Sequence, residues 1–250
     1  MRVIARLDIK NEFVIKGIHL EGLRKVGDPC ALAKLYYETG IDEVLFMDAL
    51  ASLYDRNNLF HIIEAACREV FIPITIGGGI RSLADIDQAL KSGADKVAIN
   101  TGAVNNPVII REASLRYGSQ AVVASIEAKR NGDTWSAYVD NGREPTGKSV
   151  LEWAQELEQL GAGELIVTSV DQEGTKKGFD IDLVEQVNNA LTIPVIACGG
   201  LGNLNHLKDL LNRVTPSAVA CASVLHYKLH DVAAIKEVTR KKTNAIEEAA

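Results

Sequence analysis

A repeat at a spacing of 121 residues constrains this chain more than any other feature. Gly40-Ile41-Asp42-Glu43-Val44-Leu45 is matched by Gly161-Ala162-Gly163-Glu164-Leu165-Ile166. Phe71-Ile72-Pro73-Ile74-Thr75-Ile76-Gly77-Gly78 is matched by Thr192-Ile193-Pro194-Val195-Ile196-Ala197-Cys198-Gly199. Both offsets are 121, from 164 − 43 and 194 − 73. Val3–Asp8 (VIARLD) parallels Val122–Glu127 (VVASIE) at 119, from 127 − 8. Within each copy, short β-branched runs alternate with amphipathic stretches, as in βα units on parallel strands. The strand patterns fall at 2–8, 43–48, 72–77, 96–100, 121–128, 164–170, 194–198 and 218–224. Helical patterns follow at 29–40, 58–70, 82–92, 107–117, 148–160, 181–191, 204–212 and 229–240, with Asp28-Pro29 opening the first and Ser82 capping the third.

Eight strands with a helix after each predict an α/β fold, a (β/α)8 TIM barrel built from two similar (β/α)4 halves. A doubly wound open sheet is the alternative. The halves run over about 1–120 and 121–240 of a single domain spanning 1–250. Neither half buries its sheet edges alone, and closing one on the other solves that. One stretch, 129–147, breaks the rhythm: Asn131-Gly132 and Asn141-Gly142 bracket a Trp135–Val139 strand pattern. It predicts a hairpin inserted after the fifth strand.

Composition narrows the function. Aromatic residues are only 5% of the chain, so Val, Ile, Leu and Ala build the core, as strands buried on both faces prefer. The net charge of −6 argues against a general nucleic-acid or anionic-membrane binder, without excluding a local phosphate site. Cys30, Cys67, Cys198 and Cys221 form no CxxC pair, and the five histidines (His19, His61, His206, His226, His230) form no HxH or HExxH pair. The residues therefore predict neither a metal site nor a cofactor. Cys198 and Cys221 lie in apolar strand patterns and read as core. The opening MRVIARLDIK does not read as a secretion signal and no window is apolar enough to span a membrane, so a cytoplasmic protein is expected.

In barrels the active site lies where the strands end. Those ends carry Asp8, Asp48, Gly77-Gly78-Gly79, Asn100-Thr101, Glu127, Thr168-Ser169, Gly199-Gly200 and Ala222-Ser223. Asp8 and Glu127 end strands one and five and face each other across the mouth, as a general acid and base would. Alternatively each accepts loop amides or pairs with Lys10 or Lys129. Gly78-Gly79 and Gly199-Gly200 each precede a helix, which makes an anion site from bare amides, or else merely relieves crowding in the turn. A duplicated site predicts a ligand with a phosphate at each end. Lys16 lies in an 18-residue loop, 10–27, read as a mobile lid or as a solvated charge. At the opposite end, Arg2, Glu43, Lys96 and Glu164 begin four strands. Position alone reads them as a stabilising ion cluster on the barrel floor.

LDIK (7–10), GGGIRS (77–82), GADKVAIN (93–100), PTG (145–147), TSVDQEGTKKGFD (168–180), IPVIACGGLGN (193–203) and ASVLH (222–226) together resemble the cyclase subunit of imidazole glycerol phosphate synthase. The resemblance runs the length of the chain, and TSVDQEGT and PTG are its most specific parts. It implies an ammonia-dependent lyase of histidine biosynthesis in a heterodimer with a glutaminase subunit, whose ammonia crosses the barrel. The implied substrate is the bisphosphate phosphoribulosyl-formimino aminoimidazole carboxamide ribonucleotide. Asp8 would be general base and Glu127 acid. Lys16, Asp48, Asn100, Thr168 and Glu173 would line the substrate. Gly78, Gly79, Thr101, Gly199, Gly200, Ala222 and Ser223 would hold the phosphates. Arg2, Glu43, Lys96 and Glu164 would form the ammonia gate. Three positions depart from the family pattern: Arg6 stands where it has cysteine, and Glu127 and Glu173 where it has aspartate. A divergent paralogue that channels ammonia to an amidating enzyme of surface-polysaccharide sugars, or a related phosphoribosyl isomerase, are the competing readings.

Overall fold

The computed structural model describes residues 1–49 and 59–247. Its barrel strands are β1 (Arg2–Lys10), β4 (Glu43–Asp48), β5 (Ile74–Gly77), β6 (Lys96–Ile99), β7 (Val122–Asn131), β10 (Glu164–Ser169), β11 (Val195–Cys198) and β12 (Ala218–Cys221). Each pairs in parallel with the next, and β12 returns to β1 through Arg2↔Ala218 to Ala5↔Cys221. The sheet is therefore a closed (β/α)8 barrel, not a doubly wound open sheet.

Helices follow the strands: α1 (Pro29–Glu38), α2 (Phe60–Ala66), α3 (Leu83–Lys91), α5 (Val108–Tyr117), α6 (Val150–Gln159), α7 (Ile181–Ala190), α8 (Leu204–Arg213) and α10 (Val232–Glu247). Two short ones, α4 (Thr101–Asn105) and α9 (Ser223–His226), begin directly after β6 and β12. The local chemistry explains the starts. The Asp28 side chain accepts from Ala31 N ahead of Pro29, and Ser82 and Asp85 form a reciprocal capping box. The second helical pattern begins at 58, outside the described residues.

Period-two alternation sorts the strand side chains into two cores. Val3, Leu7, Val44, Phe46, Val97 and Val167 point outward under the helices. Ile4, Leu45, Ala98, Val123, Ile166 and Ile196 form a separate cluster inside the barrel. Cys198 and Cys221 are both buried, one in each cluster.

Of the two irregular segments read from the sequence, one needs correction. Residues 10–27 are not a loop but an antiparallel hairpin, β2 (Phe13–Ile18) and β3 (Glu21–Gly27), which continues β1 through Asp8↔Ile15 and Lys10↔Phe13. His19 N donates to Glu173 O at 2.8 Å, and a Cβ on Gly174 would lie 2.1 Å from Gly17 O, so the hairpin packs tightly on the loop after β10. The hairpin expected over 129–147 is present and longer than its pattern: β7 runs on into β8 (Thr134–Val139), and β9 (Glu144–Ser149) completes an antiparallel meander. Asp180 ties it down, accepting from Trp135 Nε1 at 2.8 Å and from Arg130 Nη2 at 3.1 Å while capping α7.

Candidate active site

Strand β1 turns Arg2, Ile4, Arg6 and Asp8 inward, in order from floor to mouth. Asp8 is buried between two cations. Arg6 Nε donates to its Oδ1 at 2.8 Å, and Lys16 Nζ donates to its Oδ2 at 3.1 Å. Lys16 also pairs with Glu173. Arg6 Nη1 reaches on to Thr168 Oγ1 at 3.0 Å and Cys198 Sγ at 3.3 Å. Burial by itself would raise the Asp8 pKa, but the charges of Arg6 and then Lys16 outweigh it and hold the carboxyl well below the ordinary range. Lys16 is not a solvated charge. It is 2% exposed, and despite its desolvation Glu173 and Asp8 raise its pKa. Asp8 pairs with neither Lys10 nor Lys129.

Glu127 has a different environment. It is buried, and Gly142 N donates to its Oε2 at 2.8 Å. Burial pushes its carboxyl up to about 7 against that amide and Arg6, with Asp140 and Asp8 adding to the rise. The turn Asp140-Asn141-Gly142, with positive φ at all three residues, lies over it.

Two hollows flank this centre. The first is lined by Asp48, Gly78, Gly79, Asn100, Thr101 and Glu127, with Asn141 at its edge. The second is lined by Glu173, Lys176, Gly199, Gly200, Ala222 and Ser223. The glycine turns have φ values of +89° and +73° at Gly78 and Gly79, and +102° and +99° at Gly199 and Gly200. A Cβ on Gly78 would lie 2.4 Å from Asp48 O, and one on Gly200 only 1.8 Å from Gly178 O. Glycine is thus required at both turns by conformation and by space, and the same bareness leaves their amides approachable. Asn100 Nδ2 donates to Tyr138 O at 3.2 Å, linking the first hollow to β8.

At the floor, Arg2 Nη1 donates to Glu43 Oε2 at 2.7 Å and Arg2 also pairs with Glu164. Lys96 Nζ bridges the same two carboxylates at 3.0 and 3.1 Å. Thr75 Oγ1 donates to Glu43 Oε1 at 2.7 Å. Two cations and two anions therefore close a ring across the lower end.

The structure brings the sequence-predicted mouth residues together and sets the floor residues at the opposite end. Three contributors escaped the sequence reading as site residues. Arg6 stood out there only as a departure, although its place two residues before Asp8 puts it on the same inward face. Asn141-Gly142 read only as a turn. His226 is buried, its Nε2 3.1 Å from Arg6 O and its Nδ1 2.7 Å from Tyr36 OH. A carbonyl only accepts, so Nε2 carries the proton and Nδ1 accepts from the tyrosine. Burial and then Lys16 push His226 down to about 4, so the ring stays neutral.

A closed barrel whose mouth joins an activated carboxyl to two glycine-lined hollows is an enzyme of the (β/α)8 class. The chain belongs to the histidine biosynthesis protein family, which it matches over residues 2–231. It is 58% identical over 206 residues to the imidazole glycerol phosphate synthase subunit HisF of Legionella pneumophila, covering 82% of this chain and 97% of that protein. No helix among the described residues is long and apolar enough to cross a membrane.

Proposed function

We propose that this chain is the ammonia-using cyclase subunit of an imidazole glycerol phosphate synthase, a lyase of histidine biosynthesis that receives ammonia from a glutaminase subunit. The carrying observation is the mouth, where glycine hollows on opposite sides leave a centre lined by Glu127, Asp8 and Lys16. That spacing suits the bisphosphate ribulosyl substrate, one phosphate to each hollow. Gly78, Gly79 and Thr101 would take one phosphate, and Gly199, Gly200, Ala222 and Ser223 the other. Asp48, Asn100, Thr168 and Glu173 would line the chain between them.

Cyclisation puts the ammonia nitrogen on the carbonyl carbon with loss of water, then joins it to the formimino carbon to close the ring as that carbon's bond to the departing aminoimidazole nitrogen breaks. Each stage needs protons delivered and removed. Glu127 suits that work, because a carboxyl poised near neutrality exists in both forms at working pH. Asp8, held ionised by Arg6 and Lys16, would be the general base, and Glu127 the acid. The floor ring, with Glu43 and Glu164 bridging Arg2 and Lys96, would gate ammonia between the lumen and a glutaminase docked on that lower face.

The test is turnover of the ribulosyl substrate by purified protein in ammonium salt, followed by product chromatography. Wild type should form imidazole glycerol phosphate, and Glu127→Gln should reduce the rate by about 10²–10⁴-fold. Absence of product from wild type and from Glu127→Asp alike would overturn the assignment.

A further inference from the structure

Arg6 is a buried charged group at the mouth to which the proposed function gives no step of the reaction. Its side chain leaves β1 and reaches Thr168 on β10 and Cys198 on β11, although β12 lies between β1 and β11 in the sheet. It therefore crosses the lumen just below Asp8. It is only 4% exposed. Its position is fixed from the backbone as well, since His226 Nε2 donates to Arg6 O at 3.1 Å and His226 is itself held by Tyr36.

We propose that Arg6 is a positioning residue that ties the Asp8 carboxylate to the barrel wall and keeps it an anion, the form that can accept a proton, while Glu127 opposite is left able to carry one. The chemical part rests on the cyclase reading above; the positioning part does not. Asp8 accepts from Arg6 at Oδ1 and from Lys16 at Oδ2. Protonating it would break a charge-assisted bond and strand a buried cation without its partner, which is costly in a low-dielectric interior. Glu127 has no such cation on either oxygen. Its partner is one backbone amide, and it opens into the first hollow.

The surrounding charges agree with this division. Around Asp8 stand Arg6 on its own strand, Lys16 on the hairpin, Glu173 on the loop after β10, Glu127 across the mouth, and His226 on α9, which is neutral. Around Glu127 stand Arg6, Asp140 and Asp8, so two acids oppose one cation. One carboxylate is thus held charged while its opposite number is left free to gain and lose a proton. Arg6 is the hinge of this asymmetry, because it touches Asp8 directly and draws no hydrogen bond from Glu127.

The experiment is a pH titration of the whole protein followed by ¹³C NMR of the Asp8 and Glu127 carboxyl carbons, each assigned by its Asn or Gln variant. In wild type the Asp8 signal should stay at the carboxylate position from about pH 4 to about pH 9, while Glu127 titrates within that span. In Arg6→Met the Asp8 midpoint should rise by about 1–3 pH units, and Arg6→Lys should restore most of the wild-type behaviour. If Arg6→Met does not fold, Arg6→Gln, which keeps a donor but no charge, takes its place with the same expected rise. An Asp8 that titrates normally in wild type, or that is unmoved when Arg6 loses its charge, overturns the proposal. With ammonia and the ribulosyl substrate, the charge-removing variant should add a second ionisation to the kcat profile and change KM less than kcat. A wild type without turnover overturns the cyclase reading, while the titration still decides the role of Arg6.

Discussion

Replacing Glu127 with glutamine should remove a pH dependence of stability that the wild type carries. Burial lifts the carboxyl from 4.5 to about 7 in the folded chain. The folded state thus binds a proton that the unfolded state has already released between those values, and the stability this provides is complete below the unfolded value and lost as pH rises through the folded one. A rise of about 2.5 pH units corresponds to about 3 kcal/mol in full, of which about 2.5 kcal/mol falls between pH 5 and pH 8. Glutamine keeps the shape and can still accept from Gly142 N, but it cannot ionise. All other titrating groups are common to the two proteins and cancel in the difference. Urea unfolding of both proteins at several pH values should show Glu127→Gln gaining about 2.5 kcal/mol on wild type between pH 5 and pH 8, or roughly 5–10 °C in Tm for a domain of this size. A difference that stays flat, or that moves toward wild type as pH rises, would refute the reasoning, because it would mean that Glu127 is charged in the fold.

Other perturbations probe the remaining parts. Lys96→Met removes one of the two cations that bridge Glu43 and Glu164. It should cost about 2–3 kcal/mol in urea unfolding, short of the roughly 3–5 kcal/mol for a stranded buried charge because Arg2 still holds both carboxylates. Gly200→Ala places a Cβ 1.8 Å from Gly178 O at φ +99°, so its Tm should fall by the equivalent of about 1–3 kcal/mol and the KM for the bisphosphate substrate should rise. Trp135→Phe deletes the 2.8 Å bond to Asp180, and calorimetry should register a loss of about 1–3 kcal/mol with kcat little changed.

The barrel was legible in the sequence because its causes are local or periodic. Alternating apolar runs, the Asp28-Pro29 and Ser82 caps and the 121-residue spacing mark the barrel strands and most helices within three residues of where they lie, the exceptions being the ends of the second and the last helix. The β2–β3 hairpin was hidden because its turn is His19-Leu20, with φ +52° and +62°, which carries none of the Asn-Gly or Gly signals of a tight turn. The strand β9 was hidden for a related reason, since Glu144-Pro145-Thr146-Gly147 reads as turn chemistry.

The sequence by itself determined which residues stand at the mouth and which at the floor, because strand direction alone decides that in a parallel barrel. It also set Asp8 opposite Glu127. Tertiary structure decided how the two differ. Arg6 lies two residues from Asp8, but Lys16 arrives from the hairpin, Glu173 from the loop after β10, and Gly142 from the meander. A carboxyl's charge state is set by how much water it loses and which charges replace that water, and both depend on neighbours brought from distant parts of the chain. Two acids at equivalent places in the repeat were therefore driven apart, one held as an anion by two cations and the other raised toward neutrality by burial.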